Sequence, residues 1–333
     1  MHTTSPASAH TDQKPTTVSI VIPHMGREQM LLDTLQSICE LDTTGFDLSV
    51  VVVSKNDTFS EQLLAFKHRL SIYFEQVSMV VTISDQRNIG ARKFNTDLVG
   101  FIDADVALSE NWLCCLYSLL QNSKAVLTSA TQIAAKNAGQ VETIRSALSS
   151  VSKNTEVDFL PGANLLLTRA HFEQSGGFPS DLVTCEDYVF TQRVAQLGPL
   201  YHTGDAQFVH LGEDKTYWGM AKKEVWRGQS NLRSLKGRSI PLSEYPSLLL
   251  PSAFTLGVLM SLILFILEWP GLAVLSVCGS LFILLVYALR LYKQSKISVS
   301  LVPILGFYSL YFPARALGTI IGALNSVGSK SHH

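Results

Sequence analysis

The chain predicts an α/β domain built on a mainly parallel sheet, followed by a helical membrane region. Two observations carry this. In the first half, short apolar runs rich in β-branched residues recur at about 30-residue spacing, with helical apolar spacing between them. In the last quarter, charge almost disappears. From Pro246 onward the only charged residues are Glu268, Arg290, Lys293, Lys296, Arg315 and Lys330, so residues 1–245 hold 47 of the 53 charges.

The elements follow in order. Residues 1–16 are polar and rich in Thr, Ser and Pro, an unstructured lead without the apolar stretch of a secretory signal. Val18–Pro23 reads as a buried strand, and Leu31, Leu35, Ile38 and Leu41 as one face of a helix. Leu48–Val53 is a second buried strand. Glu61–Phe74 carries a helical pattern through Leu63, Leu64, Phe66, Leu70 and Tyr73, and Val77–Ile83 reads as the third strand. A helix near Arg87–Thr96 leads to a fourth strand, Val99–Ile102. Beyond, Val126–Thr128, Leu165–Leu167 and Phe208–His210 read as strands, and His171–Gly176 and Tyr188–Leu197 as helices. Tyr217–Leu235 is a basic, aromatic, amphipathic stretch.

Tyr245–Leu267 and Trp269–Leu289 are two uncharged segments, each long enough to cross a hydrocarbon layer of ~30 Å as a helix, which places the helices at about 247–267 and 270–290. Glu268-Trp269-Pro270-Gly271 is the turn between them. Arg290, Lys293 and Lys296 place the following loop in the cytoplasm, and the front domain with it. Residues 297–324 are apolar but contain Pro303, Pro313 and a central Arg315, which leaves a spanning and a re-entrant or interfacial helix both open.

Composition excludes several classes. The tail holds five basic residues against one acidic, leaving −5 on the soluble part, a poor match for a nucleic-acid backbone. Five cysteines without a Cys-x-x-Cys pair write neither a zinc ribbon nor a redox motif and fit buried thiols in a reduced compartment. No Gly-x-Gly-x-x-Gly follows a predicted strand, and no Gly-x-x-x-x-Gly-Lys occurs.

Two acidic motifs carry the chemistry. Asp103-Ala104-Asp105 follows the strand Val99–Ile102, and in an open parallel sheet ligands bind beyond the carboxyl ends of strands. Carboxylates at i and i+2 there offer hard oxygen ligands to Mg²⁺ or Mn²⁺. Two solvated loop aspartates are the plain alternative. Glu186-Asp187 heads a predicted helix, where a carboxylate suits general-base work and where acidic residues also simply favour the first turn.

In combination, VSIVIPHMGR (18–27), QRNIGAR (86–92), VGFIDAD (99–105), PGANLLLTRAHFEQSGGF (161–178) and CEDYVFTQRVAQLG (185–198) resemble the family 2 inverting glycosyltransferases with the GT-A fold, a Rossmann-like mixed sheet with helices on both faces. The resemblance implies a glycosyltransferase domain over residues 17–235, with a nucleotide-sugar half to about 106, an acceptor half over about 107–215 and an interfacial stretch over about 216–240. The membrane region is 245–324. It implies Asp105 as direct metal ligand, Asp103 holding ribose or metal waters, Asp187 as catalytic base with Glu186 beside it, and Arg87 and Asn88 supporting the nucleotide site. Pro23, Asp57 and Asp85 join that site. Gly162, Ala163 and Asn164 line the acceptor side, with Trp226 and Arg227 a distant echo of the Gln-x-x-Arg-Trp motif. Gly176 and Gly177 match the paired glycines ahead of the base. His210 resembles a histidine near the diphosphate or metal, with a structural role equally open.

The implied reaction is a metal-assisted single displacement from a nucleotide sugar, a UDP-sugar first, to a lipid-linked or glycan acceptor at the cytoplasmic face of a membrane, with membrane lipids as further partners. The chain departs from the family at two places. Ser54-Lys55-Asn56-Asp57 stands for Asp-Asp-Gly-Ser, and Pro23-His24-Met25-Gly26-Arg27 for Pro-x-Tyr/Phe-Asn. These departures keep a catalytically inactive nucleotide-sugar-binding or scaffold protein in view. A processive polysaccharide synthase is a further alternative, against which the missing Gln-x-x-Arg-Trp speaks.

Overall fold

The computed structural model describes residues 14–149, 154–182, 185–229, 231, 245–295 and 299–328. The lead over 1–13, most of the stretch from Ser230 to 244, and Lys296 and Lys330 lie outside them. In chain order the elements are β1 (Thr16–His24), α1 (Glu28–Cys39), β2 (Phe46–Ser54), α2 (Glu61–Ala65), β3 (Ser71–Gln76), α3 (Ile83–Ala91), β4 (Leu98–Ile102), β5 (Val106–Leu108), α4 (Trp112–Asn122), β6 (Leu127–Ile133), α5 (Gln140–Ser149), β7 (Thr155–Val157), β8 (Asn164–Thr168), α6 (Arg169–Gln174), α7 (Glu186–Ala195), β9 (Leu200–His210), α8 (Tyr217–Gly228), α9 (Tyr245–Ile266), α10 (Pro270–Ser295) and α11 (Leu301–Gly328).

The strands form one sheet in the order β3-β2-β1-β4-β8-β6-β9-β5, with β7 also on β9. The first four are mutually parallel. β8 then runs antiparallel to β4 and β6, so the sheet is mixed. Alternation along β1 divides the core, as period-two strands require. Ile20 and Ile22 face a layer with Leu31, Leu35, Trp112 and Leu116. Val21 faces the opposite layer with Phe101, Phe172, Phe178 and Phe190.

Two expected elements differ. The helical reading over Glu61–Phe74 stops at Ala65, and after a 3₁₀ turn at Phe66–His68 the chain enters β3. The third strand therefore lies ahead of Val77–Ile83. In β3 Ile72 and Phe74 pack on the core while Ser71 and Tyr73 are exposed, so alternation decides the segment. Val80, at 87% exposure, buries almost nothing. The tail matches the helical expectation, with 245–266, 270–293 and 301–325 each long and apolar enough to cross a membrane.

These helices share a third core with the front domain, in which Val141 and Ile144 of α5 and Met220 of α8 meet Phe254, Leu291, Phe307 and Phe312. α11 also lies directly on α8. A Cβ on Gly318 would strike the backbone of Val225 and Gly228, and one on Gly322 the backbone of Gln229. Arg315, central in α11, donates to Glu224 Oε2 at 3.1 Å; Arg145 and Arg227 reach Oε1 of the same carboxylate at 3.1 and 2.7 Å.

Candidate active site

The site gathers at the carboxyl ends of β1, β2 and β4. Arg87 is its hub. α3 begins on a reciprocal capping box between Thr82 and Asp85, which sets the helix so that Arg87 points inward and is only 2% exposed. Its Nη2 lies 2.8 Å from Asp103 Oδ1 and its Nη1 3.1 Å from Glu186 Oε1. It also donates to the Gly162 carbonyl and lies over the Phe178 ring. One guanidinium thus joins the acidic motif after β4 to the one at the head of α7. Its desolvation is outweighed by Asp103, Glu186 and Asp187, so its pKa rises further. Burial pushes the carboxyls of Asp103 and Glu186 above the usual range, with Arg87 opposing it in both.

Asp187 is placed differently from its neighbour. Its Oδ2 accepts from the Gly162 N–H at 3.1 Å and its Oδ1 from the Tyr188 N–H at 2.7 Å. Beneath it, Phe190 stacks on Phe178 at 3.9 Å between centroids. Asn88 holds the other end of that support, taking the Phe178 N–H on Oδ1 and giving Nδ2 to the Phe178 carbonyl. A Cβ on Gly177 would collide with Asn88 Oδ1, and Gly176 and Gly177 both have positive φ, so the paired glycines are a backbone requirement.

Asp105 is 9% exposed in its side chain. Its Oδ2 meets Arg27 Nη1 at 2.9 Å and its Oδ1 faces His210 Nε2 at 3.5 Å. His210 Nδ1 is buried without a hydrogen bond, with Glu213 Oε2 at 3.8 Å. Among the described residues no three His, Cys, Asp or Glu side chains are grouped to hold an ion. The residues present fit a divalent ion: Asp105 would offer a Mg²⁺ or Mn²⁺ a carboxylate oxygen and His210 a ring nitrogen. Gly212 keeps this seat open, since a Cβ there would collide with Asp105 Oδ2.

Asp57 is exposed and lines a cavity of about 440 Å³ with Lys55, Gln76, Val77, Ser78 and Met79, at the ends of β2 and β3. Pro23 is buried in β1 opposite Val53. Asp85 is held by Thr82 and Ser180, the Ser180 hydroxyl being the main influence that keeps its carboxyl below the usual range. Ala163 accepts the Asp103 N–H. Asn164 points into the core, where its Oδ1 accepts from Trp112 Nε1 and the Ala130 N–H. Trp226 is exposed on α8, and Arg227 belongs to the Glu224 cluster. Sequence reasoning did not assign roles to Arg27, Glu213 or His24. The departure at Pro23–Arg27 was the available signal for two of them. His24 Nδ1 pairs with Ser54 Oγ at 2.9 Å, and its buried Nε2 has no partner.

Residues 19–176 match the model of glycosyl transferase family 2. The fold is similar to that of a mannosyltransferase from Pyrobaculum calidifontis in complex with GDP-Man and Mn²⁺, at TM-score 0.57 and 15% identity over 93% of this chain and 88% of that one. A weaker likeness joins it to TarS from S. aureus in complex with UDP-GlcNAc, at TM-score 0.48 and 14% identity over 93% and 92%. No curated protein matches the chain. Residues 19–176 are a family 2 glycosyltransferase domain on a GT-A architecture, and the chain is a glycosyltransferase whose C-terminal region carries three helices able to span a membrane.

Proposed function

We propose that the chain transfers one sugar, with inversion, from a nucleotide sugar, a UDP-sugar first, to a lipid-linked or glycan acceptor at the cytoplasmic face of a membrane. The observation that carries this reading is the Arg87 bridge, which brings Asp103 and Glu186 from distant segments onto one buried guanidinium and leaves Asp187 beside them. The cavity lined by Lys55, Asp57, Gln76 and Ser78 suits a nucleoside, with polar side chains in its lining and a volume in the range of small-molecule sites.

Asp187 is the base. The Gly162 N–H orients its carboxylate, and the second lone pair of each oxygen stays free to take the acceptor proton. As the acceptor oxygen bonds to the anomeric carbon, the bond from that carbon to the diphosphate breaks, and its electrons leave with the nucleoside diphosphate. The proton ends on Asp187. A single displacement inverts the centre. Arg87 holds Glu186 and Asp103 in place throughout. Asp105 and His210, with Asp103 behind them, would hold Mg²⁺ or Mn²⁺, which when bound neutralises charge on the leaving diphosphate.

The membrane region supports an acceptor near the lipid. α9 and α10 turn Phe265, Ile266, Leu275 and Phe282 outward, and Arg290 and Lys293 at the end of α10 favour the cytoplasmic side. The test is nucleotide release by the detergent-solubilised full chain with Mn²⁺ or Mg²⁺ across UDP-, GDP- and dTDP-sugars. Release from one donor, abolished by chelator and by Asp105→Asn and Asp187→Asn, is the expected result. Binding of a nucleotide without turnover in any condition would favour the binding-only alternative; no binding of any nucleotide would overturn the reading.

A further inference from the structure

β1 gives way to a turn in which Gly26 has φ 62° and Arg27 φ 42°. Glycine adopts this left-handed backbone freely, but an arginine does so against its preference, and such conformations gather at functional loops. Two contacts fix the turn. The Gly26 N–H donates to Asn56 Oδ1 at 2.8 Å, tying it to the end of β2, and the Arg27 guanidinium reaches Asp105 at 2.9 Å, just beyond β4. The partners are unequal, Asp105 at 9% exposure and Arg27 at 60%. One is seated and the other can swing.

Sheet order gives the contact its meaning. β1 lies between β2, whose end opens onto the Asp57 cavity, and β4, whose end leads to Asp103 and Asp105. A diphosphate joining a nucleoside in that cavity to a cation on Asp105 has to pass over the turn after β1. Arg87 cannot serve it, being buried and engaged by two carboxylates. Gly212 keeps the space around Asp105 clear, because a Cβ there would strike both Asp105 Oδ2 and Arg27 Nη1.

We propose that Arg27 is an exchange cation. Before a divalent ion binds, it neutralises Asp105; when ion and donor arrive, it leaves Asp105 and pairs with the nucleotide diphosphate, where it meets the charge that grows as the sugar departs. One ion pair breaks and another forms, with no proton moved. This deepens the glycosyltransferase reading and rests on Asp105 holding the ion.

The experiment uses the full chain in detergent with two probes, Mn²⁺ alone followed by electron paramagnetic resonance, and UDP followed by calorimetry in the presence of Mn²⁺. In Arg27→Gln, free Mn²⁺ binds about three- to fivefold more tightly, the scale of a released exposed ion pair, while UDP binds about tenfold more weakly. Arg27→Lys returns Mn²⁺ affinity toward that of the parent but restores only part of the UDP affinity, because an ammonium lacks the fork that matches phosphate. Unchanged or weaker Mn²⁺ binding in Arg27→Gln, or unchanged UDP binding, overturns the exchange. Asp105→Asn separates the two levels: if it leaves Mn²⁺ affinity intact, the ion is held elsewhere and the underlying metal assignment falls, with the exchange.

Discussion

Arg87 Nη2 and Asp103 Oδ1 stand 2.8 Å apart with the arginine almost wholly out of solvent, and the same guanidinium reaches Glu186, 99 positions along the chain, at 3.1 Å. A buried cation so placed is a fixed point. It sets the spacing between the acidic motif at the end of β4 and the head of α7, where the proposed base Asp187 stands.

Removing it leaves two partly buried carboxylates uncompensated. Arg87→Ala is therefore expected to cost about 3–5 kcal/mol of stability, the scale for breaking a buried pair on one side. Arg87→Lys keeps the charge but serves the two carboxylates with one ammonium, so it loses less stability and still loses most turnover. Thermal melts in detergent beside nucleotide-release assays read both. A lysine variant with parental turnover would show that the fork geometry is not needed.

Asp187 and Glu186 are adjacent, and the proposed mechanism gives them different work. Asp187→Asn is expected to lower turnover by about 10²–10⁴-fold, the usual worth of a general base, with nucleotide affinity unchanged. Glu186→Gln weakens its link to Arg87, so its effect includes a lower melting temperature. Equal melting losses in the two variants would contradict this division.

Asp85 is implied by the family resemblance as a nucleotide-site residue, and the fold gives it a local role through Thr82 and Ser180. Its carboxyl is held below the ordinary value of ~3.9. The sign follows: a group with a depressed folded pKa adds stability that is complete above the unfolded pKa and lost as pH falls through the folded one. Asp85→Asn should then cost about 1 kcal/mol at pH 7, and the difference from the parent should shrink as pH drops below ~4. UDP affinity should hold. If UDP affinity falls tenfold or more while the melt is unchanged, the residue belongs to the nucleotide and not to the helix.

Much of this was legible in the sequence because its signals are local. Apolar runs mark β1, β2 and β4, and the paired acidic motifs stand at strand and helix ends. β3 was displaced because Leu70 and Tyr73 fall at helical spacing by coincidence, and only contact with β2 shows that Ile72 and Phe74 are the inward pair. Short β5 and β7 carry too few residues for a period to appear. Asn164 looked like part of a small-residue loop, but its partners Trp112 and Ala130 are 52 and 34 positions away. The Arg27–Asp105 contact spans two turns and leaves no pattern in one chain. What folding adds is mostly such pairing across the sheet.

Glu224 supplies the last case, where the glycosyltransferase domain meets the apolar C-terminal helices. It is 1% exposed and accepts from Arg145 on α5, Arg227 on its own helix and Arg315 on α11. Arg145 also reaches Glu213, the neighbour of His210, so an ion-pair chain runs from α11 toward the Asp105 site. A charge at the centre of an apolar helix is costly unless paired, and Glu224 is the partner Arg315 has. Glu224→Gln leaves three arginines facing a neutral amide and is expected to cost about 3–5 kcal/mol. Arg315→Leu removes one of three cations, and Arg145 and Arg227 still neutralise the carboxylate, so its cost should be smaller. The ordering is the test. Melts of the two variants in the same detergent should place Glu224→Gln well below Arg315→Leu; equal or reversed midpoints would mean that the glycine contacts of α8 with α11, and not this carboxylate, hold the membrane helices to the domain.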